Sequence, residues 1–277
     1  MGGLGNQLFQ IFTTLSYAIK SGYIYNFTSA KTLGGGSTTV RHTYWDSFFK
    51  ELDPFTIDNF EGMFVIREKT FEYNNISLVD IKSSPNVMLY GYFQSYKYFQ
   101  QEFNTICNLI KLHEIKTQTL QQNVYNIDQL NSTISIHFRM GDYKKIQHCH
   151  PIMKYKYYEK SLSYVLLNAV NISNVLYFCE NDDIDDVTDI IYDLKNKFAN
   201  VTFTRANPTL ADWEQLLIMS ACSHNIIANS SFSWWGAYLN ENIHKIVCYP
   251  SNWFGSSIKH NTIDLFPDNW IKIKCEE

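Results

Sequence analysis

The chain has 277 residues, 45 % of them hydrophobic and 18 % charged, with 12 Gly and 6 Pro, which excludes a disordered or low-complexity protein and suits about two domains. A formal net charge of −4 gives no global field for nucleic acid and leaves only a local basic pocket open. The aromatic fraction is high, with 19 Tyr, 19 Phe and 6 Trp: enough to fill a core and to supply flat faces for sugars or nucleobases.

In the first half, residues 6–20 place Leu8, Phe9, Phe12, Leu15 and Ile19 at helical spacing, with Gly22 just past the end. Residues 34–37 read as a loop, 86–92 as a strand and 99–112 as a helix. The second half is clearer. Residues 133–138 alternate, with Ile134, Ile136 and Phe138 on one face and Ser135 and His137 on the other. Helices are expected at 155–170, 185–198, 210–222 and 232–239, and strands at 175–179, 201–204, 225–228 and 245–249. Five strands alternating with helices predict a parallel, doubly wound sheet that binds its ligand at the strands' carboxyl ends. The expected domains are 1–128 and 129–277, with the cut near 125–131.

Cys107, Cys149, Cys179, Cys222, Cys248 and Cys275 form no CxxC pair, and several lie in apolar runs, as buried thiols do. The first residues lack the basic and apolar regions of a signal peptide, and no apolar run reaches the length of a transmembrane helix. The expectation is a soluble cytoplasmic protein with reduced thiols. The sequence does not reveal its oligomeric state.

Five segments are candidates for chemistry. Gly2-Gly3-Leu4-Gly5-Asn6-Gln7 opens a helix, where bare backbone and free N–H groups suit an anion, or where the chain merely starts flexibly. His137-Phe-Arg-Met-Gly-Asp-Tyr143 leaves a strand at its carboxyl end. There His137 and Arg139 share the face opposite the isoleucines, and Asp142 follows on the loop. Arg139 can clamp a phosphate with two N–H groups, or form a surface ion pair with Asp142 worth about 0–1 kcal/mol. Asp183-Ile-Asp185 matches the DxD pattern of metal-dependent sugar transferases, but acids before a helix read more readily as caps. Asn229-Ser-Ser-Phe-Ser-Trp-Trp-Gly-Ala237 joins a strand to a helix and offers an anion nest as well as a cap. His148-Cys-His150 has poor spacing for a tetrahedral metal.

Gly2-Gly-Leu-Gly-Asn-Gln-Leu-Phe-Gln10, Gly91-Tyr-Phe-Gln-Ser95, His137-Phe-Arg-Met-Gly-Asp-Tyr143 and His224-Asn-Ile-Ile-Ala-Asn-Ser-Ser-Phe-Ser-Trp-Trp-Gly-Ala-Tyr-Leu239 follow in order. Together they resemble the alpha-1,2-fucosyltransferases of glycosyltransferase family 11 over nearly the whole chain. The resemblance implies an α/β, GT-B-like fold of two Rossmann-like domains, with acceptor on the N-terminal side and GDP-sugar on the C-terminal side. It implies an inverting transfer of fucose from GDP-fucose to a glycan hydroxyl, the 2-OH of a galactose-like unit, with no metal or other cofactor. Its donor set maps here to Gly3, Gly5, Asn6, His137, Arg139, Glu214, Asn229, Ser230, Ser231 and Phe232. Arg139, His137 and Asp142 are the catalytic candidates, with Asp142 the nearest loop carboxylate to act as base.

Three departures stand out. The family has a strand before its Gly-Gly-Leu-Gly motif, Met140 replaces a second arginine, and Gln215 beside Glu214 stands at a usually acidic position. Rival readings are a metal-dependent transferase using Asp183 and Asp185, and a nucleotide-sugar- or glycan-binding protein without catalysis.

Overall fold

A computed structural model describes residues 2–34, 40–80 and 82–275 as an α/β protein that divides into two units, Met1–Ile115 with His260–Pro267, and Lys116–Lys259 with Asp268–Glu277. The expected loop at 34–37 falls outside the described residues from 35 onward.

In the first unit, α1 (Leu4–Ser21) buries Leu8, Phe9, Phe12 and Leu15, and Phe12 meets Phe99 edge-on at 5.5 Å. It ends at Gly22, whose φ of +75° lets its N–H return to the Ala18 carbonyl. The strands are β1 (Phe27–Thr28), β2 (Thr32–Leu33), β3 (Arg41–His42), β4 (Thr56–Ile57), β5 (Phe64–Arg67) and β6 (Val87–Tyr90). They pair only in twos: β1 with β4 and β5 with β6 in parallel, β2 with β3 antiparallel. The helix expected at 99–112 is the shorter α2 (Phe103–Leu109), because Ser95 caps a separate 3₁₀ turn at Tyr96–Tyr98.

Side chains stitch this unit together. Asp264 accepts the Tyr73 N–H at 3.1 Å and pairs with Lys97 at 2.5 Å, while Ser95 Oγ donates to the Asp264 carbonyl at 2.5 Å. These bonds explain why 260–267 belongs here. Glu68 accepts the N–H groups of Tyr92 and Phe93 at 2.7 and 2.9 Å, shaping the Gly91–Ser95 loop.

The units divide inside α3 (Leu112–Gln122), not at 128/129. Lys116 explains the difference: its buried ammonium donates to the Leu239 carbonyl and Glu241 carboxylate, both at 3.0 Å, fastening the rest of α3 to the second unit. There α4 (Ile127–Leu130) leads into β7 (Thr133–His137), α5 (Tyr155–Asn168), β8 (Asn174–Phe178), α6 (Ile184–Lys197), β9 (Thr202–Arg205) and α7 (Asp212–Ala221). β10 (His224–Ile226), α8 (Ser231–Tyr238), β11 (Val247–Pro250) and β12 (Ile271–Ile273) complete it.

The sheet is wholly parallel, in the order β12-β11-β10-β7-β8-β9, six strands where five were expected. The chain starts at the centre, winds outward to β9, then returns to wind the other way. That is the doubly wound Rossmann order, whose switch point lies between β7 and β10. Trp270 anchors β12 by packing 5.5 Å from the fully buried Trp234, which stacks on Tyr238 at 4.7 Å.

The alternation in β7 separates two buried layers, not core from solvent. All five residues are buried, as in a central parallel strand with both faces covered. Ile134, Ile136 and Phe138 pack with Tyr157, Tyr158, Leu162 and Val165 of α5. Met140 joins that core, a packing role in line with its position.

Candidate functional site

Arg139 emerges where β7 ends, beside the switch point. Its Nη2 meets Asp142 at 2.5 Å, its Nη1 bonds Glu180, and its guanidinium lies 5.1 Å over the Tyr143 ring. Burial opposes its charge, but the Glu180 and Asp142 carboxylates outweigh it and hold its pKa above the ordinary value. Tyr143 in turn donates to the Asn229 carbonyl at 3.1 Å, and its ring stacks on His150 at 4.7 Å. Arg139 is therefore a fixed cation, 20 % exposed, and not a loose surface ion pair.

The acidic run behaves differently from a set of caps. Asp183 precedes α6 without capping it. Its side chain, 1 % exposed, accepts the Gly141 N–H at 2.7 Å and pairs with Lys144 at 2.8 Å, pinning the turn that carries Asp142. Asp185 and Asp186 sit in the first turn of α6, where they complement its dipole. No group of three or more His, Cys, Asp or Glu among the described residues is placed to hold a metal ion.

Ser230 caps α8, its Oγ accepting the Phe232 N–H at 3.3 Å, so the cap reading of this junction holds and the helix start faces the switch point's strand end. Asn229 Nδ2 donates to the carbonyls of Pro151 and Trp253 at 2.9 and 3.2 Å, which fixes the side chain. Its Oδ1 is buried without a partner, as is Nδ1 of His137, whose ring lies 5.4 Å from Phe232. Buried acceptors and donors rarely stay unmade, so both are suited to a ligand's polar atoms. Burial, helped by the Arg139 charge, pushes the His137 imidazole down to about 3, so it is neutral at physiological pH.

Glu214 is engaged within the protein: Oε2 accepts the Ala211 N–H at 2.9 Å and Oε1 the Asn123 amide at 3.2 Å. Gly3, Gly5 and Asn6 belong to the first unit. Gly3 is the N-cap of α1, and Asn6 Oδ1 accepts from Gln94 Nε2 at 2.8 Å, joining the first two sequence motifs. Gly2 has φ +82°, and a Cβ there would come within 2.4 Å of Asn6 Nδ2. Sequence reasoning passed over Glu180, Tyr143 and Arg205. Pairing register would have found Glu180, because His137 is paired with Phe178, which sets Arg139 and Glu180 two residues past the same rung.

Among the described residues no helix is long and apolar enough to cross a membrane. Residues 56–274 match the model of "Glycosyl transferase family 11". An alpha-1,2-colitosyltransferase of Escherichia coli is 25 % identical over 99 % of this chain and 97 % of its own length. The O-antigen biosynthesis glycosyltransferase WbnK of Escherichia coli is 29 % identical over 74 % of this chain and 66 % of its own. A galactoside 2-alpha-L-fucosyltransferase of Caenorhabditis elegans is 23 % identical over 98 % and 77 %.

Proposed function

This chain belongs to glycosyl transferase family 11 and is a glycosyltransferase, and we propose that it moves L-fucose from GDP-fucose to the 2-OH of a galactose-like acceptor with inversion. The observation that carries the reading is Arg139, held by two carboxylates and an aromatic face at the switch point of a Rossmann-order sheet. In the GT-B-like arrangement that the family resemblance implies, this sheet is the donor-binding half.

The acceptor oxygen attacks C1 of the sugar as the bond from C1 to the β-phosphate oxygen breaks. The electron pair leaves with GDP, and the sugar passes through an oxocarbenium-like state. Arg139 meets the charge that grows on the β-phosphate, and Ser230, Ser231 and Phe232 at the start of α8 add the positive end of that helix's dipole. Asp142, half exposed beside Arg139, takes the acceptor's proton. Neutral His137 and Asn229 offer their unused polar atoms to the nucleotide; Gly3, Gly5 and Asn6 of the first unit are donor positions only by the family resemblance. No metal is needed where an arginine and a helix start supply the positive charge.

A screen of glycan acceptors with GDP-fucose, followed by linkage analysis, tests this. The expected product is an alpha-1,2-linked fucoside on a galactose-terminated acceptor; another linkage, or no transfer to any acceptor, overturns it. The colitosyltransferase relative favours one second reading, so a colitosyl donor is run in parallel.

A further inference from the structure

Three strands end side by side at the carboxyl edge of the sheet. β8 lies between β7 and β9, with His137 paired to Phe178 and Tyr177 paired to Arg205. Glu180 therefore leaves the sheet between two arginines, Arg139 on one side and Arg205 on the other. Its carboxylate reaches Arg139 by passing over the bare Cα of Gly141, where a Cβ would come within 2.8 Å of Oε2.

The charge around Arg139 is unfavourable for the proposed ligand. Two carboxylates surround one guanidinium, leaving a local net charge of −1, and both terminal nitrogens already have partners. Lys144 does not correct this, since it is committed to Asp183 and Asp186. A diphosphate brings at least two more negative charges, so one carboxylate has to leave. Asp142 is the less mobile: its side chain is short and it sits in the 3₁₀ turn Gly141–Lys145 that directly follows Arg139. Glu180 has the longer side chain and comes from the segment after a different strand, β8.

A receiving cation stands next to it. Arg205 Nη2 donates to Asn181 Oδ1 at 2.8 Å and lies 3.5 Å from the carbonyls of Cys179 and Glu180. Its buried Nε–H has no acceptor. We propose that Glu180 is a positioning residue: its carboxylate occupies Arg139 in the empty enzyme and passes to Arg205 when the donor's diphosphate arrives. Glu180 and Arg205 thereby set donor affinity. This rests on the GDP-sugar reading above.

Calorimetry with GDP, and with guanosine as the phosphate-free control, tests it. Glu180→Gln should bind GDP about five-fold more tightly, the scale of a half-exposed ion pair removed, with guanosine unchanged. Glu180→Ala should shift in the same direction, and a thermal melt checks folding of each. Arg205→Gln should weaken GDP binding in the wild-type background and leave it unaltered in Glu180→Gln, because the acceptor of the carboxylate matters only while the carboxylate exists. A purely structural role for Arg205 would weaken binding equally in both backgrounds, and that result overturns the transfer. GDP binding that is unchanged or weaker in Glu180→Gln overturns the assignment of Glu180 while leaving the donor reading intact. Wild-type protein that binds no GDP overturns both.

Discussion

The two units satisfy their backbones by different means. In the second, six parallel strands share one ladder, and the side chains that follow each strand inherit its register. Arg139 and Glu180 follow β7 and β8, and Arg205 ends β9, so strand pairing brings the three together. In the first, three two-stranded pairs leave much backbone unpaired, and polar side chains take over: Asp264, Glu68 and the hydroxyls of Tyr17 and Tyr98 accept main-chain N–H groups directly. A site built on ladder register is insensitive to most surface changes. A region built on individual side chains fails one contact at a time.

The sharpest test of the ladder-built site is Arg139→Lys. An ammonium cannot meet two phosphate oxygens in a plane, and loss of a preorganised donor typically costs about 10²–10³ in turnover. Steady-state kinetics should show that loss with an unshifted thermal melt; near-native turnover would remove the central residue of the mechanism. Next in size is a contrast between the units. Asp183→Ala leaves the Gly141 N–H without its acceptor where the carboxylate is 1 % exposed, while Lys144 keeps Asp186, and should cost about 2 kcal/mol in urea unfolding. Asp264, 17 % exposed, gives up its partners to water more readily, and Asp264→Ala should cost about 1 kcal/mol. Equal or reversed costs would erase the distinction drawn between the units.

Acid should weaken the second unit selectively. The folded pKa of His137 is about 3, below the unfolded value, so the unfolded chain takes up the proton first. Its contribution is intact above about pH 6.5 and is lost as pH falls toward 3, reaching about 2 kcal/mol at pH 5. Burial lowers His150 and His224 in the same direction. Urea midpoints between pH 7 and 5 should fall in the wild type and fall less in His137→Gln; parallel slopes would refute the assignment. The smallest effect concerns metal. Excess chelator, or Asp185→Asn, should leave turnover unchanged, since Asp183 is already committed to Gly141 and Lys144. A strict Mn²⁺ or Mg²⁺ requirement would revive the DxD reading.

The second unit was largely legible because its strands are apolar and its helices periodic. Of its described strands only β12 escaped, its three residues being too short a run to show alternation. The site was half legible. Arg139, Asp142 and Ser230 follow from strand ends and cap chemistry, whereas Glu180 and Arg205 carry no periodic signal and meet only through pairing register. Asp183 looked like a cap because the sequence shows the helix it precedes but not the Gly141 N–H across the sheet edge. Most of the first unit was hidden for a different reason. Four of its six strands have two residues each, below any window in which a period of two can be read. α3 was hidden for another reason, since its buried positions include the polar residues Lys116 and Thr119.

The indole stack that pins β12 also decides what optical probes will see. Of the six tryptophans, Trp213, Trp234, Trp235, Trp253 and Trp270 lie in the second unit and only Trp45 in the first. Trp234 and Trp235 are completely shielded, with rings 5.2 Å apart, close enough to exchange excitation and to emit to the blue of a solvated indole. An emission-monitored melt of this protein is therefore nearly a private record of the sheet that carries Arg139. Loss of the first unit's fold would pass almost unseen in that channel, and a far-ultraviolet trace running ahead of the emission trace would be its signature.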